Sequence, residues 1–180
     1  MNDVQKNFSI TKKIIISGLF CGLAIIFSSL RIIIPGVCKI SFDGPFYKFI
    51  SITLGPFYGG ISAFFAETIG AFLNPVGNYI PLFSMTGGLR GFLAGFLYRF
   101  FDKFSWSRKK VLKLITSVFI SDFFVSFLNS IIIKFYLGWS PKIFLINICI
   151  RFGKEFFLVI VNVVILKIML DIYDKIVEKE

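Results

Sequence analysis

Apolar residues in this chain come in long continuous runs, divided by short stretches rich in charge, glycine, proline or asparagine. A helix that crosses a bilayer needs about 20 predominantly apolar residues, and fewer where protein neighbours cover its ends. On that measure the pattern predicts six helices, at about residues 13–30, 45–54, 57–73, 81–101, 111–137 and 143–170. The stretches between them read as breaks. Residues 31–44 form a loop with Pro35 and three charges, Gly55-Pro56 is a helix break, and Asn74-Pro75-Val76-Gly77-Asn78 is a turn. Residues 102–110 are a charged loop, Gly138-Trp139-Ser140-Pro141 is a turn, and a charged tail follows residue 170. The runs are too long and unbroken for barrel strands, so helices are the spanning solution that pairs every backbone group in lipid. The expected fold is an all-α integral membrane protein, a six-transmembrane-helix bundle in one domain over residues 1–180, without repeats or low-complexity tracts.

Composition supports the bilayer as solvent. Of 180 residues, 56% are hydrophobic and only 17% charged, with a mean hydropathy of +0.83. A soluble domain is usually under half apolar and about a quarter charged. Folded in water, this chain would expose apolar patches that monomeric soluble proteins rarely carry. The first apolar run follows Lys12 and Lys13 but is long for a signal peptide and ends without a clean small-residue cleavage site, so a retained first helix is expected.

The net charge of +10 raises nucleic acid as a partner, but the basic residues gather at the ends of apolar runs, where they orient a membrane protein. With both termini on one side, that side collects twelve: Lys6, Lys12, Lys13, Arg99, Lys103, Arg108, Lys109, Lys110, Lys113, Lys167, Lys175 and Lys179. Arg31, Lys39, Lys48 and Lys142 make four on the other side, and Arg90, Lys134, Arg151 and Lys154 lie within helices, completing the twenty. The bias places both termini in the cytoplasm of a multi-pass protein of the cell membrane, with lipid and not nucleic acid as its surroundings.

Ionisable residues within a membrane are costly, and each is a functional candidate. Asp122 and Glu67 read first as structural partners that tie the bundle, and Lys134 as a residue that snorkels to the interface. Arg90 differs: in Gly87-Gly88-Leu89-Arg90-Gly91, small neighbours permit close approach of another backbone or a ligand, and its planar fork suits a carboxylate; a buried structural ion pair is the alternative. Arg151 and Lys154 share a helical face and, with Arg90 and Lys39, would make a cationic pocket; interfacial anchoring is the alternative for that pair. Tyr79 and Phe83 follow the turn after the third helix and read either as belt aromatics or as rings that stack on a flat ligand. Gly18 and Gly22 form a small-xxx-small contact in the first helix, with a neighbour inside the bundle or in another subunit.

Cys21, Cys38 and Cys149 form no C-x-x-C pair and read as small hydrophobes; histidine is absent. Neither a nucleophile–base pair nor a metal cluster is visible, and there is no G-x-x-x-x-G-K-[ST] loop for ATP. No catalytic residues, metal or cofactor are therefore expected.

Taken in order, several short segments resemble the S-components of energy-coupling factor (ECF) vitamin transporters, specifically the folate branch. They are Gly18 with Gly22, Lys39-Ile40-Ser41, Leu54-Gly55-Pro56 with Gly59 and Gly60, and Pro75 to Phe83 followed by Leu89-Arg90-Gly91. Phe127-Leu128-Asn129-Ser130 and Arg151-Phe152-Gly153-Lys154-Glu155 extend the resemblance over nearly the whole chain. Lys39 stands where the family usually has arginine, residues 42–45 are less apolar than the family pattern, and the sixth helix lacks a proline often found after the Lys-Glu pair. The resemblance implies a six-helix bundle that binds one vitamin from outside and docks on a membrane scaffold subunit with two cytoplasmic ATPases. The candidate substrate-binding residues are Arg90, Lys39, Tyr79, Phe83, Arg151 and Lys154, with Gly18 and Gly22 as the candidate partner contact. Pantothenate, riboflavin or another vitamin remains an alternative to folate. A lipid-acting enzyme and a small scaffold or channel subunit are the alternatives from other classes.

Overall fold

The computed structural model describes residues 9–30, 32–34, 38–75, 79–103 and 110–177, with residues 32–34, 38–40, 103 and 177 described only in their backbone. These residues form six helices: α1 (Ile10–Ser29), α2 (Gly44–Thr53), α3 (Pro56–Leu73), α4 (Pro81–Lys103), α5 (Lys110–Leu137) and α6 (Pro141–Val177). Between α1 and α2, where sequence predicts only a loop, β1 (Ile32–Ile34) and β2 (Cys38–Ile40) pair antiparallel, with Ile33 opposite Lys39. The β-branched isoleucines at 32–34 and 40 favour strand in these two short segments.

Local signals set the helix ends. Ser9 caps α1 by accepting a hydrogen bond from the Lys12 amide at 3.3 Å. Pro45 and Pro56 open α2 and α3, where a missing amide hydrogen costs nothing. Gly55 between them has φ +134°, which only glycine adopts readily, and the chain reverses there. Gly138 closes α5 at φ +63°, with the Trp139 amide donating back to the Lys134 carbonyl.

Three helices, α1, α5 and α6, are each long and apolar enough to cross a membrane. Large apolar side chains on the outside are widely exposed, among them Ile10, Phe57, Phe72 and Phe135, as a bundle solvated by lipid requires. The chain is an integral membrane protein of six helices. α2 is its short central element. Ten residues rise only about 15 Å, half the hydrocarbon core, and nine of the ten are buried. α2 packs against α1, α3, α4 and α6. Its Phe49 and Ile52 join Tyr98 of α4, Leu114 and Val118 of α5, and Val159, Val163 and Leu166 of α6 in one apolar core.

Small residues let α2, α3 and α4 approach to backbone contact. A Cβ on Gly91 would lie 2.5 Å from the Gly59 carbonyl oxygen and 2.8 Å from Ala63 Cβ. Ser51 of α2 donates to the Gly91 carbonyl at 2.6 Å. Without a hydrophobic force between helices in lipid, such close packing is what binds them.

Lys48 is enclosed by the bundle. Sequence puts it on the outer side, at the end of an apolar run; it is fully buried in α2. Trp106 and Asn78 lie outside the described residues.

Candidate functional site

α4 and α5 face each other across two polar contacts. Thr86 Oγ1 donates to Asn129 Oδ1 at 2.6 Å. One turn further along α4, Arg90 Nε lies 3.7 Å from Asp122 Oδ1. Thr86 and Arg90 are four residues apart on one helical face, and Asp122 and Asn129 are seven apart, two turns on the other. Helical spacing thus fixes both contacts at once.

Lys48 enters this stripe from α2, with Nζ donating to Asp122 Oδ2 at 2.6 Å. One carboxylate therefore faces two cations. Only Lys48 reaches it at hydrogen-bond distance; 3.7 Å is too long for an N–H···O bond. Arg90 Nε and Asp122 Oδ1 are both buried and both lack a hydrogen-bond partner. The Arg90 side chain is 18% exposed, against 2% for Asp122, so it is the less enclosed partner of the two.

α6 adds the other charges. Glu155 is buried and its Oε1 lies 2.9 Å from Lys154 Nζ. Glu155 is near enough to Lys48 and Arg90 to interact with both charges. Arg151 is buried one turn before Glu155 on the same helix. Glu67 of α3 touches the α4 backbone, where a Cβ on Gly87 would lie 2.5 Å from its Cγ, and its charge reaches Arg90. Residues from α2, α3, α4, α5 and α6 thus converge on one interior cluster in which bases alternate with acids. No group of three or more metal-ligating side chains is found among the described residues.

The predicted ring residues lie at the start of α4. Tyr79 hydrogen-bonds Ser84 at 2.8 Å and tilts over Phe72 at a centroid distance of 5.0 Å. Phe83 is half-buried in the first turn of α4. Tyr79 is 39% exposed, leaving ring surface open. The side chain of Lys39 lies outside the described residues. Gly18 and Gly22 face open space on α1: a Cβ on either meets nothing within 4 Å.

Sequence reasoning missed Lys48 as part of this cluster. Its signal was a cation within a predicted helix, between Tyr47 and Phe49, and an ionisable residue in that setting demands a buried partner.

A family model described as "ECF transporter, substrate-specific component" matches residues 12–173. Among solved structures, the S component of a bacterial ECF transporter is similar at 18% identity and a TM-score of 0.62, covering 92% of this chain and 99% of that one. FolT bound with folic acid is similar at 21% identity and a TM-score of 0.67, covering 86% of this chain and 88% of that one. No curated protein matches the sequence.

Proposed function

The chain belongs to the family of substrate-specific components of ECF transporters, and from that premise we propose that it captures folate at the Arg90 cluster for ATP-driven uptake. The observation that carries the proposal is the buried Arg90 Nε without a hydrogen-bond partner, on a side chain that is not fully enclosed. An unfilled charged donor in a membrane interior calls for an anion, and its fork suits a carboxylate. Folate offers two carboxylates on its glutamate, with a benzoyl ring and a flat pterin for Tyr79 and Phe83. Lys39, Arg151 and Lys154 complete the proposed set by adding positive potential. The likeness to FolT bound with folic acid agrees with this choice of ligand.

Uptake needs an energy source, and this sequence carries no phosphate-binding ATP loop. The proposed partners are a membrane scaffold subunit, docked through Gly18 and Gly22, and two cytoplasmic ATPases. The basic-residue bias supports ligand entry from outside, with both termini in the cytoplasm.

The alternation of acids with bases favours a second reading. A ligand with one carboxylate, such as pantothenate, would suffice to engage the Arg90 guanidinium.

Native mass spectrometry of the detergent-purified chain, followed by calorimetric titration with folate, pantothenate and riboflavin, tests the assignment. Co-purified folate, and folate binding far tighter than the other two, is the expected result. Tighter binding of another vitamin moves the assignment to that ligand. Absence of binding to any of them removes it.

A further inference from the structure

We infer that Lys48 is a positioning residue for the ligand-binding arginine: it occupies Asp122 and so keeps Arg90 available to an anionic ligand. The inference rests on the reading of Arg90 as the ligand contact.

Three charged side chains from three helices meet here, two cations and one carboxylate. Lys48 Nζ holds Asp122 Oδ2 at 2.6 Å, while Arg90 Nε stands off Oδ1 at 3.7 Å. Arg90 Nε and Asp122 Oδ1 are each buried without a hydrogen-bond partner. Such a pair gains by closing to the ~2.9 Å of a charged hydrogen bond. Lys48 weakens that drive by neutralising the carboxylate first. α2 holds the lysine in place: it is enclosed on nearly every face, and Ser51, one turn on, is bonded to the α4 backbone beside Arg90. Glu155 and Glu67 also act on the Arg90 charge, from α6 and α3. Glu155 has Lys154 at 2.9 Å, and Glu67 lies along the Gly87 backbone. Asp122 is the one of these carboxylates that Lys48 contacts directly, and so the one released toward Arg90 when the lysine is lost.

Removal of the lysine charge should turn Asp122 toward Arg90 and set it in competition with the ligand. A lysine that only ties α2 to α5 would affect stability and leave affinity alone.

The test uses the full-length protein in detergent, with folate titrated calorimetrically and apo melting followed in parallel. Lys48→Met should weaken folate binding by at least about tenfold, and Asp122→Asn added to it should restore affinity to within about threefold of the unmodified protein. Unchanged affinity in Lys48→Met, or no recovery in the double variant, overturns the inference. Lys48→Gln takes the place of Lys48→Met if the latter does not fold. A second arm needs no ligand: a cycle of Arg90→Gln and Asp122→Asn read as apo melting temperatures. The two shifts should be close to additive with Lys48 present and clearly non-additive in its absence. Additivity in both backgrounds overturns the inference even if the protein binds no folate, whereas absence of folate binding with the expected change in coupling removes only the ligand assignment.

Discussion

Lys48 Nζ and Asp122 Oδ2 lie 2.6 Å apart, bridging 74 residues of sequence, and neither side chain is more than 2% exposed. The pair joins the central helix to α5 inside a lipid-solvated bundle. A buried ion pair is weak evidence of net stabilisation, because desolvation offsets the attraction, but removal of one partner strands the other.

The two halves of the pair are unequal in that respect. Asp122→Ala leaves both Lys48 and Arg90 without their nearest carboxylate and should destabilise the protein by about 3–5 kcal/mol. Lys48→Met should cost less, because Arg90 stands 3.7 Å from the same carboxylate and can replace the lost cation. Melting temperatures of the two purified variants in one detergent check the order. A greater loss in Lys48→Met would mean that Arg90 does not compensate.

Much of this fold was legible because apolar runs announce helices in lipid directly. Gly55-Pro56 and Gly138 mark real chain reversals, and both glycines have positive φ. The Lys48–Asp122 pair was not legible. Its partners belong to no common helical period, and α2 is short enough for a lysine within it to count as one near a membrane face. The strand pair is not legible either, since three-residue strands carry too little alternation to outweigh the adjacent charges. Arg90 stood out because its glycine neighbours are a local signal. That its nearest carboxylate is already held by a lysine is a tertiary fact that no local pattern records.

Arg90→Ala should weaken folate binding by at least about tenfold, since a charged hydrogen bond contributes roughly 1.5–3 kcal/mol. Arg90→Lys should also weaken it, because a point charge does not replace a planar fork. Calorimetric titration beside apo melting curves checks both. Unchanged affinity in a stably folded Arg90→Ala would remove this residue from the site.

Orientation is open to chemical labelling. In a background without Cys21, Cys38 and Cys149, a cysteine at Asn78 or Trp139 should react with a membrane-impermeant thiol reagent in intact cells. A cysteine at Trp106 should react only after permeabilisation. The basic-residue bias carries this expectation, and labelling of position 106 in intact cells would invert it.

The α3–α4 contact leaves no room at Gly91. A methyl group there would lie 2.5 Å from a backbone oxygen, which cannot rotate away as a side chain can. Gly91→Ala should therefore destabilise the protein by roughly 1–3 kcal/mol, in the range of overpacked cores. Melting of the apo protein measures it; a neutral result would show that the two helices can move apart.

Gly22 is the opposite case, and the contrast separates packing within the chain from packing with a partner. A Cβ at Gly18 or Gly22 meets nothing within 4 Å, and α1 buries only Ser17, Ala24 and Ser28. Neither glycine is needed for α1 to fit its own bundle. Glycine in a helix interior costs about 1 kcal/mol relative to alanine, so Gly22→Ala should be neutral or slightly stabilising in the isolated protein. Gly22→Leu should likewise leave the apo melting temperature and folate affinity nearly unchanged. If the proposed scaffold helix docks here, the leucine side chain holds the two backbones apart and uptake in whole cells is lost. Binding by the purified variant and uptake by cells expressing it with the full transporter are the two measurements. Loss of uptake with binding intact places the docking face on α1. Normal uptake would mean that the partner approaches another side of the bundle, and loss of both would mean that α1 rearranges to close over these glycines when the ligand binds.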